Sequence, residues 1–452
     1  MSFHFVPMAE EAGIQKKAVN QLKWKGKRAN GLKDARLGLF SSTALVVASM
    51  AGTGVFTTSG FLLAELKSPW LVLLIWLFGG ALAICGALCY GALARRIPES
   101  GGEYVYLSRT LHPALGNIAG WVSLLVGFSA PLAAAAFGFG EYAHDWFPHW
   151  SAQWLGTILL CGFALIHAID VGEGAWVQNF AVVFKLILIF AFIILAIPRI
   201  PYFSTMNEVA PDSTWGDFLV SLMWVSFSYS GWNAAVYVAD EVREPAQNLP
   251  MAMVIGTTLI TVLYILLNMT FVFAAPLAEL AGRPDIGRAA AFALGGMAWA
   301  NCLTILVALA LATSISAMMM TGPRVYARMA EDGFLPRLFA RHHSAPRWSI
   351  GLQCALALVL LWSSSFKSLL TYIGFTLNLS TAATVIGLMR LRWYEGSGFP
   401  VVGWPLVPVV FLLGVLAMVV SAIQRQPMVS LYGIATLAFG WLAWRVSRPQ
   451  TK

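Results

Sequence analysis

The sequence predicts an all-α integral membrane protein with twelve transmembrane helices, arranged as two inverted repeats of five helices and a final pair. Hydrophobic residues make up 58% of the 452 residues and charged residues only 11%, a composition typical of chains that cross a bilayer. Apolar runs of about 20 residues, the length that spans the hydrocarbon region, recur along the whole chain. Small and polar residues interrupt the first and the sixth run at a matching depth, which is typical of discontinuous helices in inverted repeats.

We number the predicted spans 1 to 12 in chain order. They lie near residues 39–66, 70–94, 114–143, 151–170, 174–198, 215–240, 250–275, 290–323, 348–365, 368–390, 404–423 and 427–445. Lys and Arg residues concentrate in the connections that a cytoplasmic N-terminus and an even number of spans place inside the cell, so both termini are predicted to be cytoplasmic. We expect a flexible basic tail at 1–36, a core of spans 1 to 10 at 37–390, and spans 11 and 12 with a short C-terminus at 391–452.

Span 1 is predicted to break at Gly52, Thr53 and Gly54, because glycine and β-branched residues are poor helix formers. Breaking a helix inside the membrane leaves costly unpaired backbone groups, so it needs a reason. The half-helix that begins near Gly54 would offer free amide N–H groups to a carboxylate. The half-helix that ends near Met50 would offer free carbonyls to an ammonium. The alternative is that these small residues only allow another helix to pack closely.

Two further features lie in spans 3 and 5. Pro131 predicts a kink in span 3, which would pack centrally. Lys185 is a basic residue far from either end of span 5, and an ionisable side chain at that depth predicts a functional site. The alternative is that Lys185 extends to the inner membrane surface, but about eight residues at 1.5 Å each is a long reach of roughly 12 Å.

Span 6 contains the second predicted break, which includes Phe227, Ser230, Gly231 and Asn233. Counted from the start of each span, this break lies at the same depth as the break in span 1. Two matching breaks predict a binding site where the two repeats meet. The alternative is ordinary polar packing between helices.

Three inner connections carry sequence motifs. Residues 98–104 fit the pattern Pro-x-x-Gly-Gly-x-Tyr, and Gly-Trp-Asn at 231–233 is followed by an acidic pair and two spaced prolines up to Pro250. Residues 324–336 alone indicate an amphipathic basic helix at the inner membrane surface. Together these motifs resemble the amino acid–polyamine–organocation (APC) superfamily of permeases over residues 38–390. The resemblance implies the leucine-transporter-like fold of 5+5 helices.

The resemblance also implies a role for individual residues, and it points to the branch that carries alanine and large neutral amino acids. In that branch the substrate carboxylate lies on the amides of Gly52, Thr53 and Gly54, and a lysine in span 5 stands in place of a sodium ion. Lys185 would then link span 5 to the span 1 break and to Ser314 of span 8. The remaining implied substrate contacts are the carbonyls of Met50, Phe227 and Ser230, the break residue Gly231, the Phe227 ring as an outer lid, and the Asn233 side chain.

These features predict a secondary active transporter of neutral L-amino acids that is independent of sodium and works as an exchanger or a proton-coupled symporter. No carboxylate or arginine is apparent deep in spans 3, 8 or 10 to bind a charged side chain. The external segment 142–151 contains no cysteine, so no disulfide-linked heavy subunit is expected. A polyamine or cationic amino acid permease remains the alternative within the same class.

Two other classes of protein are less well supported. A channel needs a continuous polar lining, whereas here the polar residues concentrate at two breaks. A membrane enzyme needs an acid/base pair, a metal cluster or an activated nucleophile, and none is apparent; the five cysteines lie within spans without metal-ligand spacing. No cofactor and no metal are expected. The net charge of +8 suits contact with anionic lipid headgroups rather than nucleic acid.

Overall fold

The computed structural model describes residues 37–169, 174–201, 214–340 and 346–447, so the predicted tail at 1–36 lies outside the described residues. Within these ranges the secondary structure is helical, apart from one isolated parallel bridge between Leu37 and Val242. The predicted all-α class is therefore what the described part of the chain contains.

The α-helices are numbered α1 to α16 in chain order. They are α1 (Leu39–Met50), α2 (Thr53–Leu66), α3 (Pro69–Arg96), α4 (Glu103–Thr110), α5 (Pro113–Val122), α6 (Ala130–Ala143), α7 (Ala152–Ile169), α8 (Gly174–Ala196), α9 (Trp215–Ser228), α10 (Pro245–Val272), α11 (Leu277–Leu280), α12 (Ile286–Glu331), α13 (Arg347–Ser363), α14 (Phe366–Glu395), α15 (Leu406–Arg425) and α16 (Pro427–Val446).

Ten helices in the described part of the chain are long and apolar enough to cross a membrane, when α1 and α2 count as one span and α5 and α6 as another. Predicted spans 6 and 9 are not among them. The helix of span 6, α9, has only 14 residues before it breaks, and α13 of span 9 has 17 residues. The architecture is that of a protein that crosses the bilayer several times.

The break in span 1 follows from the residues that the sequence singles out. Helix α1 ends at Met50, and α2 begins at Thr53 with Gly52 as its N-cap residue. The second half-helix therefore starts one residue earlier than predicted. Gly52 has φ −106° and ψ −155°, an extended conformation open to any residue, so its small size matters more here than its backbone freedom.

Span 3 is irregular just before Pro131. Residues Ser123–Ser129 form a π-helix between α5 and α6, and Pro131 lies in the first turn of α6. The Ser129 hydroxyl donates to the Leu124 carbonyl at 2.7 Å. The predicted irregularity is thus present, but it takes the form of a wider helical turn that ends before the proline. Such π-turns often occur at functional sites.

The span 8 helix extends farther at its C-terminal end than the sequence indicates. Helix α12 continues to Glu331, with a non-helical step at Gly295 and Gly296. The basic segment that starts at Arg324 is consequently helical as far as Glu331, as the end of the span 8 helix, and its position at the inner membrane surface stays a prediction. Arg324 is held by an ion pair of 2.6 Å with Glu241, which draws this end of α12 toward the segment after the second break.

The first and third spans form the centre of the molecule. In an 18-residue apolar window, 72% of the residues from Leu39–Leu66 and 78% of those from Pro113–Ala143 are buried, against 28% for Pro427–Val446. Side chains that lie in the interior cannot be facing lipid. The two irregular spans are therefore enclosed by the others, and α16 lies at the periphery against α5.

Candidate functional site

The breaks in spans 1 and 6 face one cavity inside the bundle. All residues that the sequence predicts for substrate contact line this cavity: Met50, Gly52, Thr53, Gly54, Phe227, Ser230, Gly231 and Asn233. Ser314 and Ser49 line it as well. The residues predicted for substrate contact therefore share one cavity, and Lys185 lies outside its lining.

The start of α2 presents backbone donors at the cavity. Its N-cap residue Gly52 supplies no side-chain hydrogen bond to the first turn, so the amides at the start of the helix are left for another acceptor. The Gly52 N–H itself donates to the Met50 carbonyl at 2.6 Å. A carboxylate at this break would therefore have the first turn of α2 available, whereas the Gly52 amide is already engaged.

The two glycines of this break have different neighbours. A methyl group on Gly52 would lie 3.0 Å from the Ser314 hydroxyl, which is a flexible side-chain tip. A methyl group on Gly54 would lie 2.6 Å from the Cβ of Ser228 in α9. Gly54 therefore allows α2 and α9 to pack closely, which is the alternative interpretation of this motif. Both glycines line the cavity, and Gly52 is the one whose added methyl group would meet only a flexible side-chain tip at close range.

Tyr264 of α10 joins both breaks, and the sequence analysis missed it. Its hydroxyl lies 2.6 Å from the Met50 carbonyl and 3.1 Å from the Ser228 carbonyl. With the Gly52 N–H, the Met50 carbonyl thus has two protein donors, which use both of its lone pairs. The predicted ammonium contact at Met50 therefore competes with existing hydrogen bonds. The sequence feature that could have identified Tyr264 is a tyrosine within an apolar span, since a buried tyrosine hydroxyl needs a hydrogen-bond partner.

The second break lies directly against the first. Helix α9 ends at Ser228, and the Ser230 N–H donates to the Phe227 carbonyl at 2.8 Å. Gly231 has φ +99°, and a methyl group there would lie 2.8 Å from the Ser49 carbonyl carbon. Only glycine combines this backbone angle with so close an approach. Residues Ala234–Glu241 then continue as a 3₁₀-helix rather than the predicted α-helix.

Lys185 links three membrane helices at the break in span 1. Its side chain is fully buried. Its ammonium donates to the Ala51 carbonyl at 3.3 Å and to the Thr313 hydroxyl of α12 at 2.9 Å. The hydroxyl partner on α12 is therefore Thr313 and not Ser314, whose own hydroxyl is directed to Gly52. The two residues are adjacent, so the predicted helix is right and the register is off by one.

Glu103 is a carboxylate of the cavity that the sequence analysis passed over as part of a turn. It is 4% exposed and lines the cavity. Its oxygens accept hydrogen bonds from the Tyr90 hydroxyl at 2.9 Å, the Asn233 amide at 2.6 Å and the Tyr237 hydroxyl at 2.5 Å. Three neutral donors thus hold the buried carboxylate of Glu103. The sequence feature that could have identified it is an acidic residue inside a motif of small residues.

A polar group on α14 was also missed. Asn378 lines the cavity, and its Oδ1 accepts from the Ser226 hydroxyl at 3.1 Å. Its Nδ2 is buried without a hydrogen-bond partner in the described part of the chain. The Thr53 and Ser49 hydroxyls are in the same state. Buried polar atoms are rarely left unpaired, so a polar ligand or water is expected among these groups.

Metal and disulfide chemistry find no support in the described ranges. No group of three or more His, Cys, Asp or Glu side chains there could hold a metal ion. The five cysteines are free thiols. What the cavity offers is a set of hydrogen-bonding groups at two interrupted helices, which can bind a small polar molecule.

Comparison with known proteins identifies the family. The sequence model of the amino acid permease family matches residues 37–443. The chain belongs to the amino acid permease family. The predicted APC resemblance is thereby confirmed, and this permease is a multi-pass membrane transporter of amino acids and not an enzyme.

Curated relatives of this permease agree with the family. It is 29% identical to the human large neutral amino acids transporter small subunit 2, over 89% of the permease and 78% of the relative. It is 26% identical to the mouse Asc-type amino acid transporter 1, over 89% and 79% of the two chains. It is also 26% identical to the mouse b(0,+)-type amino acid transporter 1, over 92% and 91%.

Proposed function

We propose that this permease moves neutral L-amino acids across the cell membrane by alternating access, without sodium, as an exchanger or a proton-coupled symporter. The proposal includes the leucine-transporter-like layout of twelve spans, with spans 1 to 10 as the transport core and both termini in the cytoplasm. In this layout the two breaks lie at the pseudo-symmetric centre, where the site is alternately open to each side.

The observation that carries the proposal is that two interrupted helices meet at one cavity. The uncapped start of α2 suits a carboxylate, because backbone amides and the helix dipole both favour a negative charge. The carbonyls at the end of α9 suit an ammonium. The Phe227 carbonyl accepts one hydrogen bond, from the Ser230 N–H, and keeps a second lone pair. Both charges of a zwitterion would then be matched by backbone dipoles alone.

A substrate with a neutral side chain is favoured, because the described residues that line the cavity include no unengaged charged group that could pair with a charged side chain. Glu103 is the feature that favours the rival substrate class, cationic amino acids or polyamines, and one relative is named a b(0,+)-type transporter. Its oxygens, however, are held by three neutral donors. Three of the about four lone pairs of the carboxylate are already used, so a cation would gain at most one further hydrogen bond, at Oε2. The relatives named for large neutral amino acids fit the neutral class.

Independence from sodium rests on Lys185. Its ammonium lies between the span 1 break and α12, within hydrogen-bonding distance of a carbonyl and a hydroxyl. These are the oxygen ligands that a sodium ion would otherwise need. We propose that Lys185 acts as a fixed cation that ties α8 to the break.

The permease is proposed to act in the lipid bilayer without a disulfide-linked heavy subunit. A curated relative carries the words small subunit in its name, so a partner has to be considered. Residues 142–151, which connect α6 to α7, contain no cysteine. The purified chain alone is expected to transport.

Uptake into proteoliposomes tests the proposal. The purified permease is reconstituted with or without internal alanine, leucine or phenylalanine, and entry of the same radiolabelled amino acid is measured, with arginine and glutamate as competitors. We expect saturable counterflow of neutral amino acids in sodium-free buffer. Strong competition by arginine or glutamate, with none by the three neutral amino acids, would reject the neutral class. Uptake that does not saturate would reject a carrier in favour of a channel.

A further inference from the structure

We infer that Glu103 is a positioning residue for substrate selectivity. It holds the Asn233 carboxamide so that the Asn233 oxygen is presented to the cavity, and the site then favours neutral amino acids whose side chains donate a hydrogen bond. The inference rests on the proposed function, because it names the substrate class of the same cavity.

The Gly-Gly motif explains how a residue outside the predicted spans reaches the cavity. Gly101 and Gly102 have φ +126° and +56°, which favour glycine. A methyl group on Gly102 would lie 2.6 Å from Cδ1 of the Tyr237 ring. The glycines therefore let the backbone lie against the segment that follows the second break. Glu103, the next residue, is thereby placed beside Asn233.

The charge of the carboxylate fixes which way the Asn233 side chain is turned. The oxygen and nitrogen of a carboxamide are assigned from their hydrogen-bond network. The Asn233 atom 2.6 Å from Glu103 Oε1 must be the amide nitrogen, because an ionised carboxylate only accepts hydrogen bonds. Glu103 Oε1 also accepts from the Tyr90 hydroxyl, so this oxygen acts as an acceptor toward both of its neighbours.

Tyr237 completes the arrangement. Its hydroxyl donates to Glu103 Oε2 at 2.5 Å, and its oxygen accepts from Asn233 Nδ2 at 3.3 Å. In the described part of the chain, both hydrogen bonds of the Asn233 carboxamide therefore leave from its nitrogen. Its Oδ1 is left to accept a hydrogen bond from a bound molecule.

This acceptor is placed where it can discriminate between side chains. Asn233 lines the cavity and is 8% exposed, so its oxygen is largely shielded from bulk water. A substrate side chain with a hydroxyl or amide donor can pair with it, whereas an ether or a hydrocarbon leaves it unpaired. Sites built on a buried polar group reject analogues that lack the matching partner.

The test compares ligands that differ in a donor. Binding of serine and O-methylserine, and of threonine and valine, is measured on the purified full-length permease by competition with radiolabelled alanine. We expect the wild type to prefer serine and threonine within their pairs. In Glu103→Gln, the new amide can donate to Asn233 Oδ1, so the Asn233 carboxamide can turn its nitrogen to the cavity. The serine preference over O-methylserine should then fall by about tenfold, the effect of one hydrogen bond.

A second variant isolates the role of Asn233. Asn233→Ala removes the acceptor and should abolish both preferences, and Glu103→Gln combined with Asn233→Ala should match Asn233→Ala alone, because Glu103 acts through Asn233. If Glu103→Gln does not fold, Glu103→Asp takes its place, because the shorter side chain withdraws the carboxylate from Asn233 Nδ2 and should lower the same preference. Unchanged preferences in Glu103→Gln, including a uniform loss of affinity for all four ligands, would overturn the inference. So would a further change in the double variant.

The two proposals fail in different ways. A wild type that binds neutral amino acids equally well with and without a side-chain donor contradicts only the role of Glu103. A wild type that binds none of the four ligands and no alanine contradicts the proposed function itself.

Discussion

Gly52 is the residue at which the carboxylate site can be tested most directly. Gly54 is less suitable, because its substitution would force α2 away from Ser228 whatever the ligand does. A methyl group on Gly52 meets only the tip of the Ser314 side chain at close range, at 3.0 Å.

We expect Gly52→Ala to weaken substrate binding by about tenfold or more, because the methyl group narrows the space beside the first turn of α2. Affinity is measured by competition, and the folded fraction by size-exclusion chromatography. The matched control is Gly52→Ala combined with Ser314→Ala, which removes the close contact. Full recovery in this double variant would mean that packing against Ser314, and not the ligand, requires glycine at 52.

Lys185 gives a second prediction for a single side chain. Lys185→Met keeps an unbranched apolar chain as far as Cε but removes the donor to Ala51 and Thr313. We expect lower affinity or turnover in a protein that still folds, and the milder Thr313→Val should act in the same direction, because it removes one of the two acceptors.

The role of Lys185 in coupling is tested by measuring uptake by the unmodified permease, called the parent below, and by Lys185→Met. Uptake is measured with sodium replaced by choline, and with or without an imposed inward proton gradient. Concentrative uptake that disappears in Lys185→Met indicates proton coupling, and gradient-independent exchange indicates a fixed tether. Unaltered kinetics in Lys185→Met, or an absolute need for sodium in the parent, would contradict both roles.

Among the helices, α10 has a larger role than the sequence indicates. It packs on α3 and α1, and Tyr264 carries a hydroxyl that reaches the ends of both α1 and α9. One helix therefore fixes the relative position of the two breaks, on which the cavity depends.

Tyr264→Phe should disturb both breaks at once. We expect a loss of about 1 to 3 kcal/mol in stability, since the variant lacks the single phenolic proton that lies between the Met50 and Ser228 carbonyls, together with a clear loss of transport. Tyr142→Phe is the matched control, because its buried hydroxyl also donates to a carbonyl of α2, that of Phe56 at 2.6 Å, away from the cavity. Thermal unfolding and uptake are measured for both. Equal losses of transport in the two variants would show that α10 has no special part in the site.

The whole molecule makes a prediction about topology, because two of the twelve proposed spans are short. If α13 crosses the membrane with its 17 residues, the connection between Ser363 and Phe366 is external and the chain after Val446 is cytoplasmic. Reporter fusions that are active only inside or only outside the cell are placed at these two positions. A cytoplasmic signal between Ser363 and Phe366, or an external signal after Val446, would contradict the proposed layout, because the side of each position depends on whether the short helices cross.

The sequence predicted those parts of the molecule that depend on local chemistry. Apolar length predicts the membrane helices, and the poor helix formers around Gly52 and Gly231 predict the two breaks. Contacts between distant segments were not predictable. Glu103 and Asn233 are 130 residues apart in the chain, and Tyr264 and Met50 are 214 apart. Helix register also decides that Thr313 rather than Ser314 meets Lys185, and a single residue is finer than span boundaries can be predicted.

The bridge between Leu37 and Val242 has a consequence for how the molecule can move. The Leu37 N–H donates to the Glu241 carbonyl at 3.0 Å, and the Arg243 N–H donates to the Leu37 carbonyl at 2.8 Å. The residue two positions before α1 is thus hydrogen-bonded to the segment that follows the second break. If the proposed alternating access moves this end of α1 outward, α1 must either carry that segment along or release these two bonds. Hydrogen exchange at the amides of Leu37 and Arg243 would therefore report inward opening without a label inside the cavity.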